Sequence, residues 1–76
     1  MTDDNLHKTP LERAIQKAGS EAKLAAKIGY SQAAVNKAKH GINPIAAEMA
    51  VKIELALDGY VSRHELRPDL FPWGGG

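Results

Sequence analysis

A mostly all-α fold of four to five short helices, packed as one compact domain, is what this sequence predicts. Three observations point to it. Apolar residues recur at three- and four-residue spacing from Leu11 onward, the period of a helix with one buried stripe. Thr9, Ser20, Ser31 and Ser62 each stand where a helix needs an N-cap, and their side-chain oxygens suit that role. Gly19, Gly29 and Gly41 stand where three of those segments must stop. At 76 residues the chain makes one small domain. Such a chain buries only about 60% of the surface it exposes when unfolded, so its core is marginal.

Residues 1–8 lack periodicity and are expected to fray. Thr9-Pro10 then reads as N-cap and first residue of a helix, with Glu12 completing a Thr-x-x-Glu capping box. Leu11, Ile15 and Ala18 form its apolar stripe, Arg13, Gln16 and Lys17 face elsewhere, and Gly19 ends it. Ser20 caps a second helix, Glu21 to Ile28, with Leu24, Ala25 and Ile28 inward. Gly29 interrupts what otherwise reads as continuous helix, and glycine in a helix interior costs about 1 kcal/mol relative to alanine. Gly29 is therefore read as a stop, and Ser31 as the cap of a third helix, Gln32 to His40, closed by Gly41. Ala34, Val35 and Ala38 face inward there, while Gln32, Ala33, Asn36, Lys37 and His40 form the opposite stripe.

Asn43-Pro44 is expected to open a fourth helix running to about Leu57, with Asp58-Gly59 as its exit. Ile45, Met49, Ile53, Ala56 and Leu57 make one stripe, and Val51 and Leu55 lie on roughly the other side. A helix apolar on two faces needs two partners. In the tail, Ser62-x-x-Glu65 fits a capping box, so Arg63 to Arg67 can form one helical turn before Pro68; Tyr60 and Val61 can equally begin a short strand. Leu66, Leu70, Phe71 and Trp73 are apolar enough to pack down, and Gly74 to Gly76 are expected to be disordered.

The formal net charge is only +1, but it is unevenly spread. Residues 8–41 carry Lys8, Arg13, Lys17, Lys23, Lys27, Lys37 and Lys39 against Glu12 and Glu21, a local +5. Residues 1–7 and 42–76 each carry −2. The basic half is the half with the glycine-broken helices, which points to an anionic partner. The chain has no cysteine, so disulfides and thiolate metal sites are excluded. No apolar run approaches the roughly 18 residues of a membrane span, and the polar start MTDDNLHK is unlike a signal peptide. A cytoplasmic protein, without membrane contact, is expected. The three histidines are scattered, and the serines read as caps, so no metal, no cofactor and no enzyme activity are expected.

Two helices joined by a tight glycine-containing turn are the helix-turn-helix, in which the second helix reads base edges while the first braces across the backbone. Residues 20–41, SEAKLAAKIGYSQAAVNKAKHG, resemble the helix-turn-helix of phage Cro and lambda-type repressors, with Ala25, Gly29 and Val35 at the three signature positions and apolar Leu24 and Ile28 beside them. Pairing this segment with the later GYVSRHELRPDLFP is similar to small YdaS-like and Cro-like repressors of prophage regions, whose tail has the form G-x-V-x-x-x-E-L-R-P. The likeness spans roughly residues 10–72. It implies a lambda-repressor-like domain over residues 9–73, a helix-turn-helix at 20–41 and a recognition helix at 31–40. Four positions depart from the pattern: Ala38 replaces a larger apolar residue, Glu21 replaces a frequent glutamine, and Ala33 and Ala34 bring no hydrogen bonds.

The implied function is a sequence-specific transcriptional repressor that binds double-stranded operator or promoter DNA as a homodimer. Gln32 and Asn36 have the chemistry to bond adenine N6 and N7, and Ala33 can touch a thymine methyl. Lys37 suits a guanine or a phosphate. Tyr30, Ser31, Lys39, His40 and Asn43 flank the helix as phosphate contacts. Lys23 and Lys27 read as a solvated face. Surplus apolar residues place the dimer surface at Val51 and Leu55 with Tyr60, Val61, Phe71 and Trp73. The alternative is a protein-interaction module: similar small domains of the resembled family are linked to toxin–antitoxin-like cassettes, in which the tail would bind a protein partner.

Overall fold

The computed structural model describes residues 8–42 and 44–72. The segments 1–7 and 74–76, expected to fray, lie outside the described residues, as do Asn43 and Trp73. Five helices follow one another: α1 (Pro10–Ala18), α2 (Glu21–Ile28), α3 (Gln32–Lys39), α4 (Ala47–Ala56) and α5 (Arg63–Leu66). There is no strand among the described residues, so the fold is all-α.

The helix starts are built from the caps that the sequence offers. Thr9 and Glu12 exchange both bonds of a capping box. Ser20 accepts from the Lys23 N–H and Ser31 from the Ala34 N–H, each at 3.1 Å. Ser62 and Glu65 form a second capping box, which settles the open choice at residues 60–67 in favour of a helical turn. One core joins all five helices: Leu11 and Ala14 from α1, Leu24, Ala25 and Ile28 from α2, Val35 from α3, and Met49, Ala50 and Ile53 from α4. Leu57, Val61 and Leu66 complete it. Helix α2 packs against α1, α3 and α4, and α5 packs against α4 and α1.

Two expectations are corrected. Helix α4 begins at Ala47, not at Asn43-Pro44, and its N-cap Ala46 is extended with no side-chain cap bond. The cause is a long-range contact. The Arg67 guanidinium donates to the Ile45 carbonyl, which in a helix opening at Pro44 would serve the N–H four residues on. Val61 is fully buried, so it belongs to the core and offers no surface to a second subunit.

The tail is tied down by charge as well as by apolar contact. Arg13 of α1 pairs with Glu65. Arg63 donates to Glu54 through its backbone N–H (3.0 Å) and its Nε (2.6 Å). Arg67 forks onto Asp69 at 2.9 and 2.7 Å. Hydrogen bonds from Arg63 and Arg13 hold Glu54 and Glu65, respectively, below the ordinary value of 4.5, and Arg67 holds Asp69 at about 2. A carboxyl depressed in the folded state contributes stability above its unfolded pKa and loses that contribution as pH falls through its folded value. The melting temperature is therefore expected to be flat near neutrality and to fall from about pH 4.5 towards pH 2. Glu65→Gln should lower it at pH 7 and shallow that acid limb; an acid limb unchanged in Glu65→Gln would contradict the assignment.

Gly29 answers the question of the broken helix. It sits at φ 76°, ψ 26°, in the left-handed region, where a Cβ meets the following carbonyl. Its own N–H and that of Tyr30 both reach the Ala25 carbonyl, closing α2 before Ser31 opens α3. Beyond its two chain neighbours, a Cβ at Gly29 would meet nothing within 4 Å, so only the local backbone conformation penalises a side chain. Gly29→Ala should cost about 1–2 kcal/mol in urea unfolding. Gly29→Asn should cost less, because asparagine tolerates this conformation better. Equal losses for the two variants would show that something other than the left-handed turn is at work.

Candidate nucleic-acid interface

Helix α3 presents a polar face because only one of its residues, Val35, is fully buried, with Ala34 and Ala38 half-buried beside it. Gln32, Ala33 and Lys37 are exposed, Ala33 and Lys37 on the side away from Val35, and His40 is exposed just past the helix end. Ser31 is exposed, and its oxygen accepts the cap bond while its O–H remains a donor; Tyr30 is half-buried against the core. Gly41, at φ 74°, closes the helix in the manner expected. Lys37 and Lys39 lie in the last turn, where cations are favoured by the helix dipole.

Asn36 and Lys39 are held differently from the rest of the stripe. The Asn36 Nδ2 lies 3.2 and 3.4 Å from the two carboxylate oxygens of Glu21, and the Lys39 Nζ lies 3.3 Å from Glu21 Oε2. Glu21 stands in the first turn of α2, so these bonds join the start of one motif helix to the far half of the other. The hydrogen bonds from Asn36 and then Lys39 lower the Glu21 pKa, which keeps the carboxylate ionised.

Two residues beside this face were not singled out from the sequence. Lys8 and Gln16 line an open cleft between the start of α1 and α3, together with Glu12, Ile15 and Lys39. The membership of Lys8 in the basic half was a signal; that of Gln16 was not, since only the packing of α1 on α3 turns it this way. The residues read as a dimer surface are dispersed by comparison. Leu55 is 69% and Tyr60 47% exposed, whereas Val51 and Phe71 are half-buried and Phe71 packs onto the core. The Lys17 Nζ lies 5.0 Å from the centre of the Tyr60 ring. No helix among the described residues is long and apolar enough to cross a membrane.

Comparison with known proteins bears on the same arrangement. The family described as bacterial toxin YdaS matches residues 11–73. The Cro protein from the prophage element Xfaso 1 of Xylella fastidiosa strain Ann-1 is similar in structure, with a TM-score of 0.76 and 36% sequence identity over 83% of this chain and 95% of that one. No curated protein matches the sequence. The match spans both the glycine-locked pair α2–α3 and the tail, and the chain belongs to the YdaS family and is a Cro-like, prophage-type helix-turn-helix protein.

Proposed function

We propose that this protein is a DNA-binding transcriptional repressor that inserts α3 into the major groove. The observation that carries the reading is the exposed stripe Gln32, Ala33, Lys37 and His40 on the second helix of a rigid helix-turn-helix. In this reading Gln32 bonds an adenine edge, Lys37 meets a guanine or a phosphate, and Ala33 meets a thymine methyl. Tyr30, Ser31, His40 and Asn43 approach phosphates, joined by Lys8 and Gln16 from the flanking cleft. One short helix reads few base pairs, so two copies acting on half-sites about one helical turn apart supply useful specificity. The 69% exposed Leu55, with Val51 one helical turn before it, is the surface proposed to pair them, and the 47% exposed Tyr60 is a further apolar residue open to the contact. Occupation of promoter DNA then excludes polymerase. The family's description as a toxin supports a second reading, action on a protein partner. In the tail Leu66 is buried and Phe71 packs onto the core, which leaves the 46% exposed Leu70 as a described apolar residue open to that contact.

Fluorescence anisotropy on labelled intergenic DNA from beside the gene, against a scrambled duplex at two salt concentrations, tests the proposal. The native duplex is expected to bind at least ~10³-fold tighter. Gln32→Ala should erode that preference by about 1–3 kcal/mol. Lys37→Ala should weaken binding and, if it meets a phosphate, lower the salt slope by about 1. Leu55→Glu should halve the sedimentation mass and weaken operator binding. Equal, weak and salt-abolished binding to both duplexes would overturn the repressor reading.

A further inference from the structure

The first motif helix starts with a carboxylate on the side where α3 is proposed to meet DNA, and this carboxylate is not idle. The Glu21 side chain is 17% exposed. It engages two α3 residues, the Asn36 amide at 3.2 and 3.4 Å and the Lys39 ammonium at 3.3 Å. Bidentate recognition of adenine needs the oxygen and one N–H of an asparagine amide set at the base edge, and the bond to Glu21 turns the Asn36 amide nitrogen toward α2 and leaves it at most one further N–H. A lysine contributes to DNA affinity as a free cation that displaces counterions from phosphate, and Lys39 is already paired. Among the described residues, Asn36 and Lys39 are the two members of this face bonded to an acidic side chain.

We infer that Glu21 is a positioning residue that limits DNA affinity: it ties Asn36 and Lys39 to α2, leaving Gln32 and Lys37 to read the groove and holding down the sequence-independent part of binding. The inference rests on the proposed DNA-binding role of α3. A negative charge beside the groove repels every duplex alike, and it withdraws a cation that would attract every duplex alike. Both effects subtract from binding to any duplex, operator included, while the contacts made by Gln32 are untouched. The tether also joins the two motif helices beside Val35, where α3 has its one fully buried side chain.

Two experiments on the full chain test this. The first needs no DNA. In thermal unfolding of Glu21→Ala, Asn36→Ala and the double variant, the double variant should lose less melting temperature than the sum of the single losses, as bonded neighbours do. Strict additivity overturns the tether. The second is anisotropy on the operator and on a scrambled duplex as salt is varied. Glu21→Gln should bind the scrambled duplex at least about threefold tighter and steepen its salt slope by about 0.9, one added phosphate contact. The operator should gain by the same factor, so that the operator-to-scrambled ratio holds, and adding Lys39→Met to Glu21→Gln should return the slope to the wild-type value. An unchanged slope and unchanged affinity for the scrambled duplex in Glu21→Gln, with the wild type binding its operator specifically, overturns the role given to Glu21 alone. A measurable coupling with no duplex bound by wild type or Glu21→Gln overturns the DNA-binding reading, and the affinity-limiting role falls with it.

Discussion

Helix α3 commits one side chain, Val35, fully to the core, and the placement of the reading face depends on that contact being aimed by the turn before it. A helix held by a single buried residue has freedom to rotate and tilt. The left-handed Gly29 removes much of it, because the Gly29 and Tyr30 N–H groups both close onto the Ala25 carbonyl and Ser31 starts the next helix two residues later. Ala25 is itself buried at the α2–α3 contact side of the core, small enough to let the helices approach. Glu21 adds a polar tie further along. The exposed stripe is therefore a consequence of how little of α3 is buried and how firmly its start is fixed.

The tail does the corresponding work on the other side of the molecule. A chain of this size has a marginal core, and residues 60–71 enlarge it with Val61, Leu66 and the half-buried Phe71. The E-L-R-P run reads as a clasp, residue by residue. Glu65 caps its own helix and pairs with Arg13, Leu66 is buried, and Arg67 grips Asp69 while donating to the Ile45 carbonyl. The His64 Nδ1 lies 2.8 Å from the Phe71 carbonyl, fastening the end of the tail to α5. The motif that marks the family in this sequence is thus accounted for by packing and charge, with no ligand needed to explain it.

Most boundaries were legible because they are local. A cap and the N–H it serves are three residues apart, and the glycine stops lie one to two residues beyond the last helical residue. The start of α4 was not legible, because it is decided by Arg67, 22 residues further along the chain. Val61 looked available for a second subunit because a lone valine beside a tyrosine carries no periodicity from which to read its burial. At the candidate interface, Gln32, Ala33 and Lys37 follow directly from helical spacing about Val35. Asn36 shares that spacing, but its amide is claimed by a carboxylate on the preceding helix, 15 residues back. The departure of Glu21 from the motif was visible in the sequence; what it bonds to was not.

The central claim is that the exposed face of α3 is the surface that meets DNA. Titration of ¹⁵N-labelled protein with operator duplex, followed by amide and side-chain amide NMR shifts, tests it most directly. The account predicts that the largest changes fall on Ser31, Gln32, Ala33, Lys37 and His40, including the Gln32 side-chain amide, with Lys8 and Gln16 following and the α5 clasp still. Changes centred instead on Leu55, Tyr60 and Leu70, with α3 unmoved, would contradict it.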